Sequence, residues 1–294
     1  MNKFLTIFTP TYNRKHTLVN LYKSLEKQTN FDFEWIIIDD GSKDGTEELV
    51  NSWIKLDNQF DMYYYKCNNG GKHRAINKAL DIANGKMFFI VDSDDYLTED
   101  AVEKIIKYES TLPKERKFAG IAFSKGFEDR TLVGKTFKGE FVDATSIERK
   151  KYNILGDKAE IFYTTVLKEN KFPEFEGEKF ITEAVVWNRI AKQGYKIRWF
   201  QDIIYICEYR DDGLTKSGYK KFKESPKGLL LYIKESIEYL NLNLLERLLR
   251  YSYYSKAVYE NRNIKQASED LGIKETTLKL AILLRKIGEK LKKK

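Results

Sequence analysis

Three carboxylates fall within four positions at Asp92-Ser93-Asp94-Asp95, directly after the apolar run Phe88-Phe89-Ile90-Val91. Oxygen donors at that density suit a hard cation such as Mg2+ or Mn2+, and such a cation could neutralise the phosphates of a nucleotide. In an open α/β sheet, ligands bind just beyond the carboxyl ends of the strands. The motif is short, however. The same residues would serve equally as a solvated acidic turn, with Asp94 or Asp95 near the N-terminus of the next helix. The choice depends on what the upstream elements place beside them.

Lys3–Thr9 is a strand by composition and is stopped by Pro10, after which Thr11-Tyr12-Asn13-Arg14 forms a polar turn. Leu18, Leu21, Tyr22 and Leu25 recur at helical spacing. Phe33–Ile38 has the continuous apolar end of a central parallel strand, and it too runs into carboxylates, at Asp39-Asp40-Gly41-Ser42. A helix with Leu49, Ile54 and Leu56, a strand at Met62–Tyr65, the turn Asn68-Asn69-Gly70-Gly71 and a helix from Lys72 to Ala83 follow. This alternation predicts a parallel α/β sheet with Thr9–Asn13, Asp39–Ser42 and Asp92–Asp95 along one edge.

Beyond residue 101 the signal thins. A helix around Val102, Ile105 and Ile106, a strand at Phe118–Phe123 and short strands and loops over 124–145 are expected. Lys158–Tyr163 reads as strand, Glu183–Ala191 as helix, and Ile197–Phe200 and Ile203–Cys207 as two closing strands. After Gly218 the pattern is helical only, giving a domain over 1–217 and a helical region over 218–294 with a basic tail.

Composition bounds the partners. The 294 residues are 42% hydrophobic and 33% charged, as a packed domain requires. Two cysteines imply no disulfide framework, and two histidines argue against His-rich zinc chemistry. No apolar stretch approaches the ~20 residues of a membrane span, and no signal-like segment opens the chain. The net charge of +8 is concentrated in the Arg285–Lys294 tail. The basic residues do not form a stripe interleaved with aromatics, so no nucleic-acid partner is expected.

In order, Thr9-Pro10-Thr11-Tyr12-Asn13, Ile38-Asp39-Asp40-Gly41-Ser42, Gly71-Lys72-x-x-Ala75-x-Asn77-x-Ala79 and Asp92-Ser93-Asp94-Asp95 closely resemble the motifs of family 2 glycosyltransferases. The similarity covers residues 4 to about 100 and continues more weakly to about 215. Each motif alone is weak, but all four in order on the predicted elements are specific. The resemblance implies the α/β GT-A fold, Rossmann-like with a mostly parallel central sheet flanked by helices, here with a C-terminal helical extension. It further implies an inverting, metal-dependent transfer from a nucleotide-sugar, with UDP-sugar favoured, to a glycan or lipid-linked acceptor in cell-surface polysaccharide synthesis. A cytoplasmic location follows, at or near the inner face of the plasma membrane.

The resemblance also assigns roles. Thr9, Pro10 and Tyr12 would line the nucleoside pocket, with Tyr12 against the base. Asp40 would accept the base N–H, with Asp39 the alternative in a structural role. Lys72 would face the diphosphate, Asp92 and Ser93 the ribose or sugar, and Asp94 would hold Mn2+ or Mg2+, a job Asp95 would share unless it caps a helix. The family places a Glu-Asp base pair at a later helix start, where this chain reads Thr182-Glu183-Ala184. Glu183 is therefore the catalytic candidate, with Glu176 and Glu178 in reserve, and Ala184 departs from the pattern. Arg210 or Lys216 could reach the diphosphate from a late loop.

The terminal helix, with Leu278, Ile282, Leu283, Ile287 and Leu291 before the lysines, suits either an anionic membrane or packing on the enzyme or a partner subunit. Two other functions stay open. A nucleotidyltransferase would want a glycine-rich N-terminal loop, which residues 9–13 lack, and a catalytically impaired nucleotide-sugar-binding scaffold is compatible with Ala184.

Overall fold

The computed structural model describes residues 3–208 and 219–291. It begins β1 (Leu5–Thr11), α1 (Lys15–Glu26), β2 (Phe33–Asp39), α2 (Thr46–Ile54), β3 (Asp61–Lys66), α3 (Lys72–Ile82) and β4 (Met87–Ile90). β1 lies between β2 and β4, β3 flanks β2, and all three pairings are parallel. The carboxyl ends of these four strands therefore share one edge.

The chain continues with β5 (Tyr96–Leu97), α4 (Ala101–Glu109), β6 (Phe118–Gly126), β7 (Phe141–Ala144), β8 (Lys158–Tyr163), α5 (Thr164–Glu169), α6 (Ala184–Lys192) and β9 (Lys196–Ile206). Strand order is β3-β2-β1-β4-β8-β6-β9-β5, with β7 paired to β9. β8 runs antiparallel to both β4 and β6, so the sheet is parallel in its first half and mixed beyond. The two closing strands expected from sequence are one, β9. The polar Gln201-Asp202 that suggests a break is absorbed as a bulge, where pairing steps from Ala122↔Trp199 to Ser124↔Ile203.

Both faces of the sheet are covered. Leu5, Ile7, Trp35, Ile37, Phe89, Ile121 and Phe123 pack one face against Leu18, Leu21, Val50, Trp53, Val102 and Ile105. Tyr22 stacks on Trp53 at 4.3 Å there. On the other face Phe8 stacks on Phe88 at 5.5 Å, and α3 packs on β1 and β2. At the amino edge, buried Glu34 accepts hydrogen bonds from Thr6 Oγ1 (2.6 Å) and the Asn84 N–H (2.7 Å).

Contact density divides the chain into two units, Met1–Phe172 with Arg189–Arg210, and Pro173–Asn188 with Asp211–Lys294. The 217/218 boundary read from sequence lies outside the described residues. The second unit contains α7 (Lys220–Lys223), α8 (Pro226–Tyr239), α9 (Leu244–Tyr259), α10 (Ile264–Leu271) and α11 (Glu275–Leu291). Its core is Leu229, Ile233, Tyr254, Ala257, Ala267, Leu271, Leu278 and Ile282. Glu178 caps α8, its carboxylate accepting the Lys227 and Gly228 N–H groups at 2.8 Å each.

Candidate active site

Three loops leave the shared strand edge and are tied together by hydrogen bonds. The Asp40 N–H donates to the Thr11 carbonyl (2.8 Å), and the Asn13 N–H to Ser42 Oγ (2.8 Å). Gly41 has φ +90° and runs so close to the third loop that a Cβ would lie 3.2 Å from the Cys67 carbonyl oxygen. Asp39 is fully buried, accepting the Ser42 N–H (2.7 Å) and the Tyr64 hydroxyl (2.5 Å), the local structural role that its place in a turn suggested. Asp40 accepts the Gly70 N–H (2.6 Å), the Gly71 N–H (2.8 Å) and Asn69 Nδ2 (3.1 Å). It thus organises the turn that starts α3.

Within the first loop the residues differ. Thr9 is buried, its hydroxyl accepting from Trp35 Nε1 (2.9 Å) of the core. Pro10 is half-buried, and Tyr12 is 50% exposed, an open ring at the edge.

The acidic turn is built from distant partners. Lys72, the first residue of α3, places Nζ 2.7 Å from the Asp92 carboxylate. Burial pushes that carboxyl up, but Lys72 and Lys125 outweigh it and hold it below the usual range. The Tyr205 hydroxyl of β9 accepts the Asp92 N–H (3.0 Å) and donates to Asp95 (2.7 Å), which also accepts the Glu208 N–H (3.1 Å). Asp95 is thereby a strut between the turn and β9 instead of a helix cap. Burial and Asp92 raise its carboxyl to about 7. Lys125 lies buried over the Tyr205 ring at 4.0 Å. Ser93 is buried. Sequence offers little sign of Lys125 or Tyr205, since one ends an apolar strand and the other reads as core.

Asp94 differs from its neighbours. It is half-buried, has no hydrogen bond or ion pair with another described side chain, and burial and Asp92 raise its carboxyl. A desolvated carboxylate beside a second one is favourable ground for a cation. Among the described residues no three metal-ligating side chains cluster. That donor set fits Mg2+ or Mn2+ held by one or two carboxylates with a nucleotide's phosphates completing the shell.

Residues 6–139 match the family model for glycosyl transferase family 2. The chain carries a family 2 glycosyltransferase domain. Thr9, Pro10, Tyr12, Asp40, Lys72 and Asp92 to Asp95 lie within it, whereas Tyr205 and Glu208 lie beyond it. The chain is 32% identical over 105 residues to the glycosyltransferase GlyG of Streptococcus pneumoniae, covering 36% of this chain and 35% of that protein. It is 25% identical over 193 residues to the GalNAc(5)-diNAcBac-PP-undecaprenol beta-1,3-glucosyltransferase of Campylobacter jejuni, covering 64% and 60%. The chain thus spans about a third of one relative and under two thirds of the other. The structure of Staphylococcus aureus TarS 1–349 in complex with UDP-GlcNAc superposes with a TM-score of 0.62 at 18% identity, over 97% of this chain and 92% of that one. The fold is GT-A.

The remaining candidates lie in the second unit. Glu183 is half-buried immediately before α6, its carbonyl accepting the Trp187 N–H, and Ala184 opens that helix. Glu178 is committed to capping α8 and Glu176 is exposed. Arg210 and Lys216 lie outside the described residues.

Proposed function

We propose that the protein is an inverting glycosyltransferase that moves a sugar from a UDP-sugar to a glycan or lipid-linked acceptor in cell-surface polysaccharide synthesis. The Lys72–Asp92 ion pair at the α3 N-terminus, beside the cation-seeking carboxylate of Asp94, carries this reading. A helix N-terminus with a lysine is suited to a diphosphate. The UDP-GlcNAc named for the TarS structure and the undecaprenol-linked acceptor named for the Campylobacter jejuni relative support the donor and acceptor classes.

Tyr12 stacks on the base, and Asp40 reads a base N–H. On diphosphate binding, Lys72 exchanges Asp92 for the phosphates, and Asp92 and Ser93 turn to the ribose or sugar. Asp94 would hold Mn2+ or Mg2+, which supplies Lewis-acid stabilisation of the leaving diphosphate when bound. Glu183 takes the proton from the acceptor hydroxyl. The acceptor oxygen then forms its bond to the anomeric carbon on the face opposite the diphosphate, and the bond to the diphosphate oxygen breaks with inversion.

Among the described residues no helix is long and apolar enough to cross a membrane. On α11, Leu280, Leu283, Ile287 and Leu291 are exposed opposite buried Leu278, Ala281 and Ile282, with exposed Lys279, Lys286 and Lys290 alongside. That pattern supports engagement of an anionic membrane surface from the cytoplasmic side.

Screening nucleotide-sugars with Mn2+ for thermal stabilisation and slow nucleotide release tests the reading. A UDP-sugar should stabilise the protein and release UDP, and Asp94→Ala should abolish release. Binding without release would favour the second reading, a scaffold lacking a complete base, which Ala184 at the start of α6 supports. No response to any UDP-sugar would overturn the uracil assignment.

A further inference from the structure

Next to the donor corner, β6 and β8 carry a set of polar side chains for which the reaction above has no use. Ala122 pairs with Glu160 and Ser124 with Lys158. Their chain neighbours Ile121, Phe123, Ala159 and Ile161 belong to the Trp35 core, so strand alternation puts these four on the opposite face. Arg149 lies over the Trp199 ring at 5.2 Å, and its Nη1 is 3.5 Å from the Glu160 carboxylate.

This set is under-satisfied. Ser124 is fully buried, and neither its Oγ nor Arg149 Nε has a hydrogen-bond partner among the described residues. Glu160 has the long contact to Arg149 and no hydrogen bond from another described residue. Buried polar groups without partners are rare and call for an explanation. Ala122 presents only a methyl group opposite Glu160. The Glu160 and Arg149 side chains are 14% and 25% exposed, so the cluster reaches the surface through these two, with Ser124 buried beneath them. Lys125, adjacent to Ser124, interacts electrostatically with Asp92 and Asp95 as well as with Glu160, which sets the cluster beside the acidic turn.

We propose that Glu160, Arg149 and Ser124 form a sugar-recognition subsite, with Glu160 accepting and the Arg149 guanidinium donating hydrogen bonds to hydroxyl groups of a pyranose ring. A carboxylate, a guanidinium N–H and a hydroxyl provide the mixed acceptor and donor set that a vicinal diol needs. The inference rests on the nucleotide-sugar reading above. The ring could belong to the donor or to the acceptor, and the experiment separates the two.

Calorimetric titration of wild type, Glu160→Gln and Ser124→Ala with UDP, UDP-glucose, UDP-galactose and UDP-GlcNAc reads the donor arm. Saturation-transfer NMR with methyl glucosides and methyl galactosides in the presence of UDP reads the acceptor arm. UDP affinity should be the same in all three proteins. For a donor ring, Glu160→Gln should weaken the preferred UDP-sugar about tenfold, with a smaller loss in Ser124→Ala. For an acceptor ring, UDP-sugar affinity should hold and the glycoside signal should fall. Ser124→Ala only removes an oxygen, so it reports even if Glu160→Gln does not fold. Unchanged responses in both arms with UDP still bound would overturn the subsite alone. Failure of wild type to bind UDP would overturn the donor reading beneath it.

Discussion

Within the acidic turn, adjacent carboxylates end in different states because each meets different partners. Lys72 and Lys125 hold Asp92 ionised, whereas burial and that same Asp92 charge raise Asp94 and Asp95. Tyr205→Phe would leave the Asp92 N–H and one Asp95 oxygen without their partner. It should cost about 1–3 kcal/mol in urea denaturation and weaken UDP binding. Unchanged stability would remove Tyr205 from the account. Glu160 gives a pH signature. Burial first, then Asp157, raise its carboxyl to about 7 against the pull of Arg149 and Lys125, with Lys158 on the same strand face. A folded pKa above the ordinary 4.5 means that the folded state binds the proton more tightly, so stability falls as pH rises from about 4.5 to about 7. Glu160→Gln should therefore be more stable than wild type at pH 8 by on the order of 2 kcal/mol, an advantage that disappears below about pH 4.5. Parallel urea melts at the two pH values check it; an advantage independent of pH would contradict it. At this scale sequence was informative for residues adjacent along the chain, such as Asp92 to Asp95. It was silent on Lys125, Tyr205 and the Asp40 contacts to Gly70 and Gly71, which arrive from strands and loops far away in sequence.

Elements were legible where hydrophobic pattern and turn chemistry agreed. The first four strands and three helices follow from apolar runs and turn signals, but Pro10 does not stop β1, which runs on to Thr11 with Pro10 opposite Ile38 and Thr11 opposite Asp39. β9 was not legible as one strand, because a bulge hides Gln201 and Asp202 inside it, and the antiparallel direction of β8 leaves no mark in its composition. α8 shows a cap that no local pattern reveals, since Glu178 reaches it from about fifty residues upstream. Glu178→Ala should lower stability by about 1–2 kcal/mol, as loss of a helix N-cap does. Donor binding should be retained. A thermal melt with UDP titration of the same variant checks both halves, and loss of UDP binding at unchanged stability would contradict the capping role.

For the whole molecule, the first unit contains the residues proposed to bind the donor, and the second unit contains Glu183, the proposed base, and the α11 stripe. Wild type should co-sediment with phosphatidylglycerol vesicles, and not with phosphatidylcholine, at low salt, because each lysine near an anionic surface contributes about 1 kcal/mol and salt screens it. Leu283→Glu with Ile287→Glu should release it; co-sedimentation with both lipids, or persistence in the variant, would remove α11 as the contact. Titrating UDP with and without Mn2+ into wild type and Asp94→Ala decides whether the Asp92–Asp95 turn with Lys72 is the diphosphate corner of a donor site. Mn2+ should strengthen UDP binding at least about tenfold in wild type, about 1.4 kcal/mol, and have no effect in Asp94→Ala. Equal strengthening in both proteins, or no UDP binding by wild type under either condition, would contradict it.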